Sequence, residues 1–580
     1  MREAFELQKL YWGDNSSVDY ETQKTLTSQL KSELEQIRDK YRVKIKFADG
    51  LVSQVDGNKS SNNSRMLRGF CRMMKKVSTD CSEDMRRFAG RVIEESVGIV
   101  NTEPLYDFDA VAIGSITKVE ATPYSDLEFL FLVASTTSES LNYFNTLAMT
   151  SYFLIGNLCE TKLSYMAIKE LHGWFDDRGK IGFKIDGLAD VAGNIPTGNN
   201  HQNKNHFIVT PKQLAEKYKT ILHNPDPKDA IRGDLTAMLA YTVSIYSHRP
   251  DIQTGLLREF RDLIAQENSQ EIPTRTDMNI KMLKSDAKKF NFVPDEKLSE
   301  KGFNADVKKE LYRFPSIMLL DICIVSQCIG TSSWHSLDKL NNSARISGDF
   351  CMSLRFLVAV STYIRLATYL YHDSHDDRVS LAMQTTNTPG ALEKPDAKNN
   401  QNTQRWILPS RLFACICMTM LPLKYLLSKE YFEIEHLSEY KNKSDLWWLN
   451  VTTLYYSGNC SQALSELKQK YEGLCERPVE LSLHIASRLP HNKYDTLYII
   501  SETMFWCGEY RAALQLYQYM TVNDISDERV RIADCHDHLG NHSKAKEILE
   551  SISEKSSDVY FSLGNAYQSS GRYDEAEANY

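Results

Sequence analysis

The chain has 580 residues, more than one hydrophobic core accommodates, which predicts about three to four domains of ordinary size. Its content of 42% hydrophobic and 25% charged residues is typical of a soluble globular protein. The 68 basic and 76 acidic residues give a net charge of −8. Such a chain has no excess of positive charge to attract a nucleic-acid backbone, which argues against nucleic acid as the main ligand.

The cysteine pattern and the apolar runs argue against two further classes of protein. The 12 cysteines lack the paired spacing of a zinc site and the density of a secreted disulfide scaffold, so reduced thiols and a cytoplasmic location are predicted. The N-terminus is charged and lacks the apolar stretch of a secretory signal. The apolar run from Leu412 to Leu423 contains Pro422 and is too short to span a bilayer, so we expect no membrane segment.

Helical patterns come first along the chain. The stretch from Tyr20 to Lys44 is rich in helix formers and charge, and the polar composition from Gly50 to Ser64 predicts a loop. Residues 66–98 are predicted to be helical because apolar side chains recur at steps of three and four positions. These side chains are Met66, Phe70, Met73, Met74 and Val77.

The pattern then changes to that of buried strands. Phe108 to Ile113 and Leu127 to Val133 are short runs of apolar, β-branched and aromatic residues bounded by Gly, Pro and Ser. A third run, Ile181 to Ile185, is predicted to be a strand, and a helix is predicted from Leu141 to Leu171. Two strands, a helix and another strand predict a small α/β unit.

Two carboxylates accompany the second strand. Asp126 and Glu128 are separated by one residue, and the period-two geometry of a strand points both to the same side. At roughly 4 Å and an effective dielectric constant of about 20, two such charges repel by about 4 kcal/mol, so a cation is the natural compensation. Carboxylate oxygens combined with substrate phosphates suit Mg²⁺ or Mn²⁺. The alternative interpretation is that both side chains line the solvated face of an edge strand.

A Gly-Ser turn follows the first strand, with ten residues between Ser115 and Asp126. Gly114 permits close approach of the backbone to a phosphate, and Ser115 offers a hydroxyl and an N–H group. A two-metal phosphoryl-transfer site needs these parts. The turn and the two carboxylates therefore predict one site for metal-bound nucleoside triphosphate.

The segment from Val111 to Phe129 resembles the signature of the DNA polymerase β-like nucleotidyltransferase superfamily, and it looks like the N-terminal domain of protein-PII uridylyltransferases and their relatives. In that family an Arg usually stands two positions before a Glu. Lys118 stands in that place before Glu120, which keeps the charge but not the bidentate fork of a guanidinium group. The resemblance implies that Asp126 and Glu128 are catalytic metal ligands and that Gly114, Ser115 and Lys118 contact the nucleotide.

The resemblance also implies a third acidic residue on a later strand. Asp186 is the best candidate, and Asp190 is the fallback. In the superfamily such a residue helps to hold one metal ion and assists deprotonation of the attacking hydroxyl. The alternative interpretation is that Asp186 is a turn former before Gly187.

Beyond a polar loop from Pro196 to His206, the pattern from Thr210 to about Asp373 is mostly helical, with apolar segments at Ile317–Ile329 and Phe350–Tyr371. The segments 306–315 and 354–365 resemble the helical domain that follows the transferase domain in the uridylyltransferase family. Within the first of these, Arg313 is a candidate contact for a nucleotide phosphate, with an ordinary salt bridge as the alternative.

The pairs His372-Asp373 and His375-Asp376 resemble the motif of HD phosphohydrolases, which accompany the transferase in bacterial uridylyltransferases. That fold needs further histidines and aspartates on several helices, and no matching set is found. A solvated helix end is therefore predicted here.

An internal repeat follows the Pro-, Asn- and Gln-rich linker at 387–404. Glycines at 458, 508, 540 and 571 are each followed five positions later by Ala and nine positions later by a large apolar residue. The last copy, from Tyr560 to Tyr580, resembles a tetratricopeptide repeat. In this interpretation Gly564 and Ala576 let two helices approach closely, and aromatic side chains fill the groove between hairpins. Such arrays present a concave face to peptides or helices.

The last repeat is incomplete at Tyr580, and a solenoid ended there would expose an apolar face, so we expect the native chain to extend further. Together these patterns predict an α+β protein with a small nucleotidyltransferase α/β core, a helical linker domain and an α-solenoid. The predicted domains are an N-terminal helical segment at 1–65, a nucleotidyltransferase domain at 66–208, a helical domain at 209–386, the linker at 387–404 and the repeat region at 405–580.

The function predicted from these resemblances is transfer of a nucleoside monophosphate from a nucleoside triphosphate to an acceptor hydroxyl, with Mg²⁺ or Mn²⁺ as cofactor. The resemblance is to a uridylyltransferase, and the repeats are expected to recruit a protein partner or substrate. Two alternatives stay open: an inactive or nucleotide-sensing transferase domain in a repeat scaffold, and a second-messenger synthase that joins two nucleotides at the same site.

Overall fold

The structure is a computed structural model. It describes residues 19–55, 63–100, 107–158, 160, 182–183, 208–223, 239–248, 255–268, 280–281, 283–285, 303–343, 345–375, 378–381, 420, 423, 446–456, 460–488, 493–553 and 555–579. They form two compact units, one containing the described residues up to 381 and the other containing those from 420 onward.

The first unit combines long helices with a small sheet. Its elements are α1 (Tyr20–Val55), α2 (Asn63–Val100), β1 (Phe108–Ile113), α3 (Ser115–Lys118), β2 (Glu128–Val133), α4 (Ser138–Gly156), β3 (Ile208–Val209), α5 (Pro211–His223), β4 (Val243–Ser247), α6 (Gly255–Asn268), β5 (Phe303–Asp306), a π-helix (Val307–Tyr312), α7 (Arg313–Val325), α8 (Ser333–Asn342), α9 (Gly348–His372) and β6 (Arg378–Leu381).

A four-stranded sheet of order β3-β2-β1-β4 forms the core of this unit. Strand β1 pairs antiparallel with β2 in a register that joins Phe108 to Val133 and Ile113 to Glu128. Strand β4 pairs antiparallel with the other side of β1, and β3 pairs parallel with β2. All six residues of β1 and five of the six in β2 are buried, which explains why both strands are nearly continuous apolar runs rather than alternating ones.

The strands predicted at Phe108–Ile113 and Leu127–Val133 are confirmed as β1 and β2. The strand predicted at 181–185 is wrong at the residues of that segment that the structure describes. Of the segment 181–185, Gly182 and Phe183 are described, and neither lies in a strand. Their N–H groups donate instead to the backbone carbonyl and the Oε2 atom of Glu160, both at 2.9 Å. A short apolar run does not specify a strand by itself, and here a buried carboxylate satisfies the backbone. The candidate third carboxylates Asp186 and Asp190 lie outside the described residues.

The sheet is completed by a strand in a region predicted to be mostly helical. Only one of the five residues of β4 is buried, so this strand lacks the apolar run that reveals a core strand in a sequence. Its pairing with β1 means that the sheet contains residues on both sides of the predicted domain boundary at residue 208.

Three further helix boundaries differ from the sequence prediction. Helix α1 continues through Gly50 to Val55 and α2 begins at Asn63, so the predicted loop is wrong at both of its ends. The two helices pack along each other, and this tertiary packing outweighs the polar, glycine-containing composition. Helix α4 ends at Gly156, although a helix was predicted as far as Leu171. The predicted loop at 196–206 and the linker at 387–404 lie outside the described residues.

The two apolar segments predicted near the end of this unit form α7 and α9. Helix α9 is long and apolar enough to cross a membrane by length and composition, and 83% of its most apolar window is buried inside the protein. A helix in the core of a protein can have the same length and apolar composition, so α9 is weak evidence for a membrane span.

The second unit consists of helices in its described part. They are α10 (Leu446–Tyr456), α11 (Cys460–Lys470), α12 (Pro478–Arg488), α13 (Lys493–Trp506), α14 (Tyr510–Val522), α15 (Arg529–His538), α16 (His542–Glu550), α17 (Ser557–Ser569) and α18 (Tyr573–Asn579). Consecutive pairs such as α13 with α14, α15 with α16 and α17 with α18 pack against each other as hairpins.

The repeat pattern predicted for this unit is confirmed at its turns. Three hairpins each have a glycine in the turn between their two helices: Gly508, Gly540 and Gly571. The φ angles are +81°, +81° and +78°, a conformation that favours glycine. The matching alanines Ala513, Ala545 and Ala576 are buried. The first repeat glycine, Gly458, lies outside the described residues.

Two aromatic side chains of the last repeat are exposed. Tyr560 is 46% exposed and Tyr573 is 69% exposed. The buried stripe of α17 instead consists of Val559, Leu563 and Ala566, and it packs against α15 and α16. Tyr560 stands one residue beyond Val559 and therefore points away from this stripe.

Candidate active-site cleft

The Gly-Ser turn and both carboxylates line one cleft in the first unit. The cleft encloses about 540 Å³, a figure that includes space open to solvent. The residues that line it are Gly114, Ser115, Lys118, Asp126, Glu128, Lys308, Tyr312, Arg313, Ser316, Ile317 and Arg365.

The positive φ at Gly114 favours glycine, and the Glu128 carboxylate lies directly against it. A Cβ atom added to Gly114 would lie 1.7 Å from Oε2 of Glu128, and the φ of Gly114 is +77°. The register of β1 on β2 brings this about, because Ile113 pairs directly with Glu128. The sequence pattern of a glycine after one strand and an acidic residue on the next thus corresponds to direct contact between them.

Asp126 stands two residues before Glu128 and faces the same cleft. Leu127 between them is fully buried, as the period-two prediction requires. The side chain of Asp126 is 15% exposed, with Nζ of Lys308 at 3.8 Å from Oδ2 and Nδ1 of His375 at 3.8 Å from Oδ1. The alternative of a solvated edge strand does not fit, since β2 lies between β1 and β3.

The wall facing the carboxylates is basic. Lys308 and Tyr312 come from the π-helix, Arg313 from the start of α7 and Arg365 from α9. A π-helix is rare and frequently marks a functional site. Lys118 and Arg365 are 6% and 3% exposed, and the guanidinium of Arg365 lies 4.4 Å from the centroid of the Tyr312 ring. Buried cations opposite carboxylates suit a ligand that brings phosphate groups and a metal ion together.

Arg313 is exposed and forms no ion pair with another described side chain, so the salt-bridge alternative has no partner in that part of the chain.

Glu120 connects the Gly-Ser turn to the basic wall of the cleft through hydrogen bonds. The carboxylate is 1% exposed. It accepts hydrogen bonds from the hydroxyl groups of Tyr312 at 2.6 Å, Ser316 at 2.8 Å and Ser333 at 2.6 Å. Burial, together with the Glu120 carboxylate, raises the pKa of Tyr312, which keeps its hydroxyl protonated as a donor. The carboxylate is therefore well satisfied, and it fixes the π-helix and α7 against the turn.

The segment after α9 approaches the loop that carries Tyr124 and Asp126, so the predicted solvated helix end is wrong. The Oδ1 atom of Asp373 accepts a hydrogen bond from the Tyr124 hydroxyl at 2.8 Å, and Arg42 also bonds to this carboxylate. The side chain of His375 is 6% exposed. Its ring packs on that of Tyr369 with centroids 4.7 Å apart. Burial raises the pKa of Tyr124, so it too stays a donor.

Sequence reasoning identified the carboxylates and the turn but not most of the opposite wall. Lys308 and Tyr312 lie in the segment 306–315, whose family resemblance gives these side chains no role, and Ser316 follows that segment directly. The His-Asp pairs that include His375 resemble the motif of HD phosphohydrolases, and their spacing predicts a solvated helix end. In the structure His375 lies beside Asp126 instead. Each of these residues is distant in the sequence from Asp126, so local spacing does not reveal the contact.

Asp126 and Glu128 are the carboxylates of the cleft that could bind a divalent cation. Within the described part of the chain, no group of three His, Cys, Asp or Glu side chains is placed to hold a metal ion. Mg²⁺ is commonly bound by one or two carboxylates together with substrate phosphates and water. Asp126 and Glu128, side by side in a polar cleft, fit that mode of binding.

Comparison with known proteins supports the assignment of the second unit. A tetratricopeptide repeat family model matches residues 557–580, which include α17 and α18. A search of curated proteins gives no match to the chain. The chain thus carries a tetratricopeptide repeat near residue 580, and this kind of repeat indicates a protein–protein interaction in that region.

Proposed function

We propose that the cleft is the active site of a nucleotidyltransferase that transfers a nucleoside monophosphate from a nucleoside triphosphate to an acceptor hydroxyl, with a uridylyltransferase-like site. The observation that carries the proposal is the placement of Gly114, Ser115, Asp126 and Glu128 in one cleft opposite buried basic side chains. The family resemblance of the segment from Val111 to Phe129 supports the same conclusion.

In this proposal each group has a defined task. Asp126 and Glu128 would hold Mg²⁺ or Mn²⁺, which when bound offsets the charge that develops on the phosphate oxygens. Ser115 and the backbone of the turn bind a phosphate, which the missing side chain at Gly114 permits. Lys118, Lys308, Arg313 and Arg365 neutralise the remaining phosphate charge and orient the nucleotide.

The tetratricopeptide repeat supports a second element of the proposal, namely that the repeat region recruits a protein partner. That partner is either the acceptor or a regulator of the transfer. A nucleotide-sensing scaffold without transfer activity is the second candidate function, and the match to a protein-interaction repeat favours it as much as it favours recruitment of a substrate.

The test is incubation of the full chain with each of the four α-³²P-labelled nucleoside triphosphates, Mg²⁺ or Mn²⁺, and a cell lysate as the source of acceptor. We expect transfer of label or release of pyrophosphate that Asp126→Asn and Glu128→Gln each reduce by about 100-fold or more. Glu139→Gln, an exposed carboxylate change on α4, is the matched control and should retain activity.

The form of the product separates the candidate functions. Label on protein supports a protein acceptor, and label in a dinucleotide supports a second-messenger synthase. Metal-dependent nucleotide binding without any product would support the sensing scaffold and contradict transfer. Equal activity in Asp126→Asn and the wild type would exclude the proposed site.

A further inference from the structure

We infer that Asp373 and His375, which follow α9, are positioning residues that set the place of the loop carrying Asp126. The inference rests on the proposed function of the cleft for its catalytic meaning. The structural relation itself can be tested without activity. The two residues are called the α9 clamp below.

The first contact of the clamp is with Tyr124, two residues before Asp126. The Tyr124 side chain is fully buried, and its hydroxyl donates to Oδ1 of Asp373 at 2.8 Å. A hydrogen bond to a carboxylate in a buried place is stronger than one between neutral groups. Arg42 bonds to the same carboxylate and also reaches the Tyr124 hydroxyl at 3.3 Å, so the charge of Asp373 has a partner.

The second contact is with Asp126 itself. Nδ1 of His375 lies 3.8 Å from Oδ1 of Asp126, on the other side of that carboxylate from Lys308. The His375 ring is fixed by Tyr369, whose ring also meets that of Tyr124 edge-on at 6.3 Å. One helix end thus contacts the loop at two points, the tyrosine and the carboxylate.

The loop has its own internal hydrogen bonds, which do not determine where it lies relative to the cleft. Ser125 N donates to Thr122 O at 3.0 Å, and Thr122 N donates to the Ser125 hydroxyl at 2.8 Å. Only contacts to other elements fix its place. Helix α1 provides Arg38, whose guanidinium lies 4.2 Å from the centroid of the Tyr124 ring, and α2 provides Ser82, whose hydroxyl accepts from Ala121 N at 3.2 Å. The α9 clamp adds the hydrogen bond to Tyr124 and the approach to Asp126.

The place of Asp126 matters for catalysis because a displacement of about 1 Å at a reacting centre costs roughly 100-fold in rate. Loss of the clamp should therefore lower kcat more than it raises KM, since the basic wall that binds phosphate is unchanged. If these residues only stabilised the fold, their substitution would lower the amount of active protein without changing kcat relative to KM.

Asp373→Asn is a suitable variant. Asp373 has φ of +52°, a left-handed conformation that Asn also adopts readily, so the change removes the charge without backbone strain. Asp524 has φ of +50° and lies in the second unit, so Asp524→Asn is a matched control. Tyr124→Phe removes the hydroxyl and keeps the ring under Arg38. His375→Gln tests the second contact, with His484→Gln on α12 as its control.

The experiment is hydrogen–deuterium exchange of the full chain, read at the loop amides of residues 121, 122, 124 and 125, with steady-state kinetics as the second readout. We expect Asp373→Asn and Tyr124→Phe each to speed exchange of the loop about 10-fold while the amides of α2 keep their protection. We expect kcat to fall about 10- to 100-fold with KM for the nucleotide within about threefold. The double variant should show less than the combined effect of the two single ones, because Asp373→Asn weakens the hydrogen bond that Tyr124→Phe removes.

The two readouts separate failure of the inference from failure of the proposed function. Unchanged loop exchange in Asp373→Asn and in His375→Gln would overturn the clamp, whatever the activity. Faster loop exchange in the variants, together with a wild type that transfers no nucleotide, would support the clamp and contradict the transferase. If the α2 amides also lose protection in Asp373→Asn, that variant is partly unfolded and Tyr124→Phe becomes the deciding variant. Unchanged exchange of the loop amides in Tyr124→Phe would then contradict the inference.

Discussion

The backbone of Gly114 and the carboxylate of Glu128 are in such close contact that no side chain fits between them. A Cβ atom at position 114 would lie 1.7 Å from Oε2 of Glu128, and the backbone there has a positive φ. The turn and the carboxylate are therefore one structural unit, formed where β1 ends beside the start of β2.

Gly114→Ala should destabilise the first unit by about 1–3 kcal/mol, because it combines strain at positive φ with a steric clash. It should also displace Glu128 and reduce nucleotide transfer by about 100-fold. Calorimetric unfolding and the transfer assay measure the two effects. Gly98→Ala on α2 is the control, since nothing lies within 4 Å of a Cβ there. Wild-type activity in Gly114→Ala would contradict the assigned role of the turn.

Glu120→Ala should lower the free energy of unfolding of the first unit by about 3 kcal/mol, because three buried hydroxyl donors lose their acceptor. Glu120→Gln keeps the shape but replaces one acceptor oxygen by a donor, so a smaller loss of about 1–2 kcal/mol is expected. Denaturant unfolding measures both. The exposed Glu259→Gln on α6 should change stability by less than about 0.5 kcal/mol. Equal stability of Glu120→Ala and this control would refute the network.

Arg38 and Glu160 form a buried ion pair, with both Nη atoms 2.6 Å from the carboxylate oxygens. Arg38→Met alone should cost about 3–5 kcal/mol, since it leaves the buried charge of Glu160 without its ionic partner. Glu160→Leu should cost less, because Arg38 keeps Glu35 at 2.8 Å. The double variant should cost less than the sum of the single ones. Unfolding of the four proteins gives the coupling energy. Lys24→Met, which breaks an exposed pair with Glu21 on the same helix, should have little effect. Additive losses would show that the pair is not coupled.

Asp49 should make the first unit less stable as the pH rises. Burial raises its pKa to about 6 from the ordinary 3.8, and a hydrogen bond from Tyr363 opposes the shift. Between these two values the folded state binds more protons than the unfolded state, so the free energy of unfolding falls as pH rises through that window. Asp49→Asn should therefore match the wild type near pH 4 and exceed its stability by about 1–2 kcal/mol at pH 7.

Thermal unfolding at a series of pH values checks this dependence. Tyr363→Phe removes the hydrogen bond that stabilises the charged form, so it should steepen the loss of stability toward neutral pH. An Asp49→Asn variant whose stability advantage did not change between pH 4 and 7 would show that Asp49 titrates normally.

Features that depend on neighbours in the chain could be predicted from the sequence. The bounds of β1, the alternation of Asp126, Leu127 and Glu128, and the repeat turns at Gly508, Gly540 and Gly571 all follow from periodicity or from the special conformation of glycine. These signals are local, so each is complete within a few residues.

Contacts between distant segments could not be predicted in this way. Tyr124 and Asp373 are separated by 249 positions, and Glu120 and Ser333 by 213. Strand β4 was missed because it is mostly unburied and carries no apolar run. The HD-like pairs were assigned to a solvated helix end because spacing alone does not show what a helix end contacts.

The sequence by itself determined the two strands, the Gly-Ser turn, the pair of carboxylates and the repeat, since each rests on side-chain period or on backbone freedom. Only the tertiary structure decided what surrounds them: the basic wall of Lys308, Arg313 and Arg365, the buried acceptor Glu120, and His375 beside Asp126. The physical reason is that a buried charge needs a partner of matching chemistry, and the fold supplies that partner from any part of the chain.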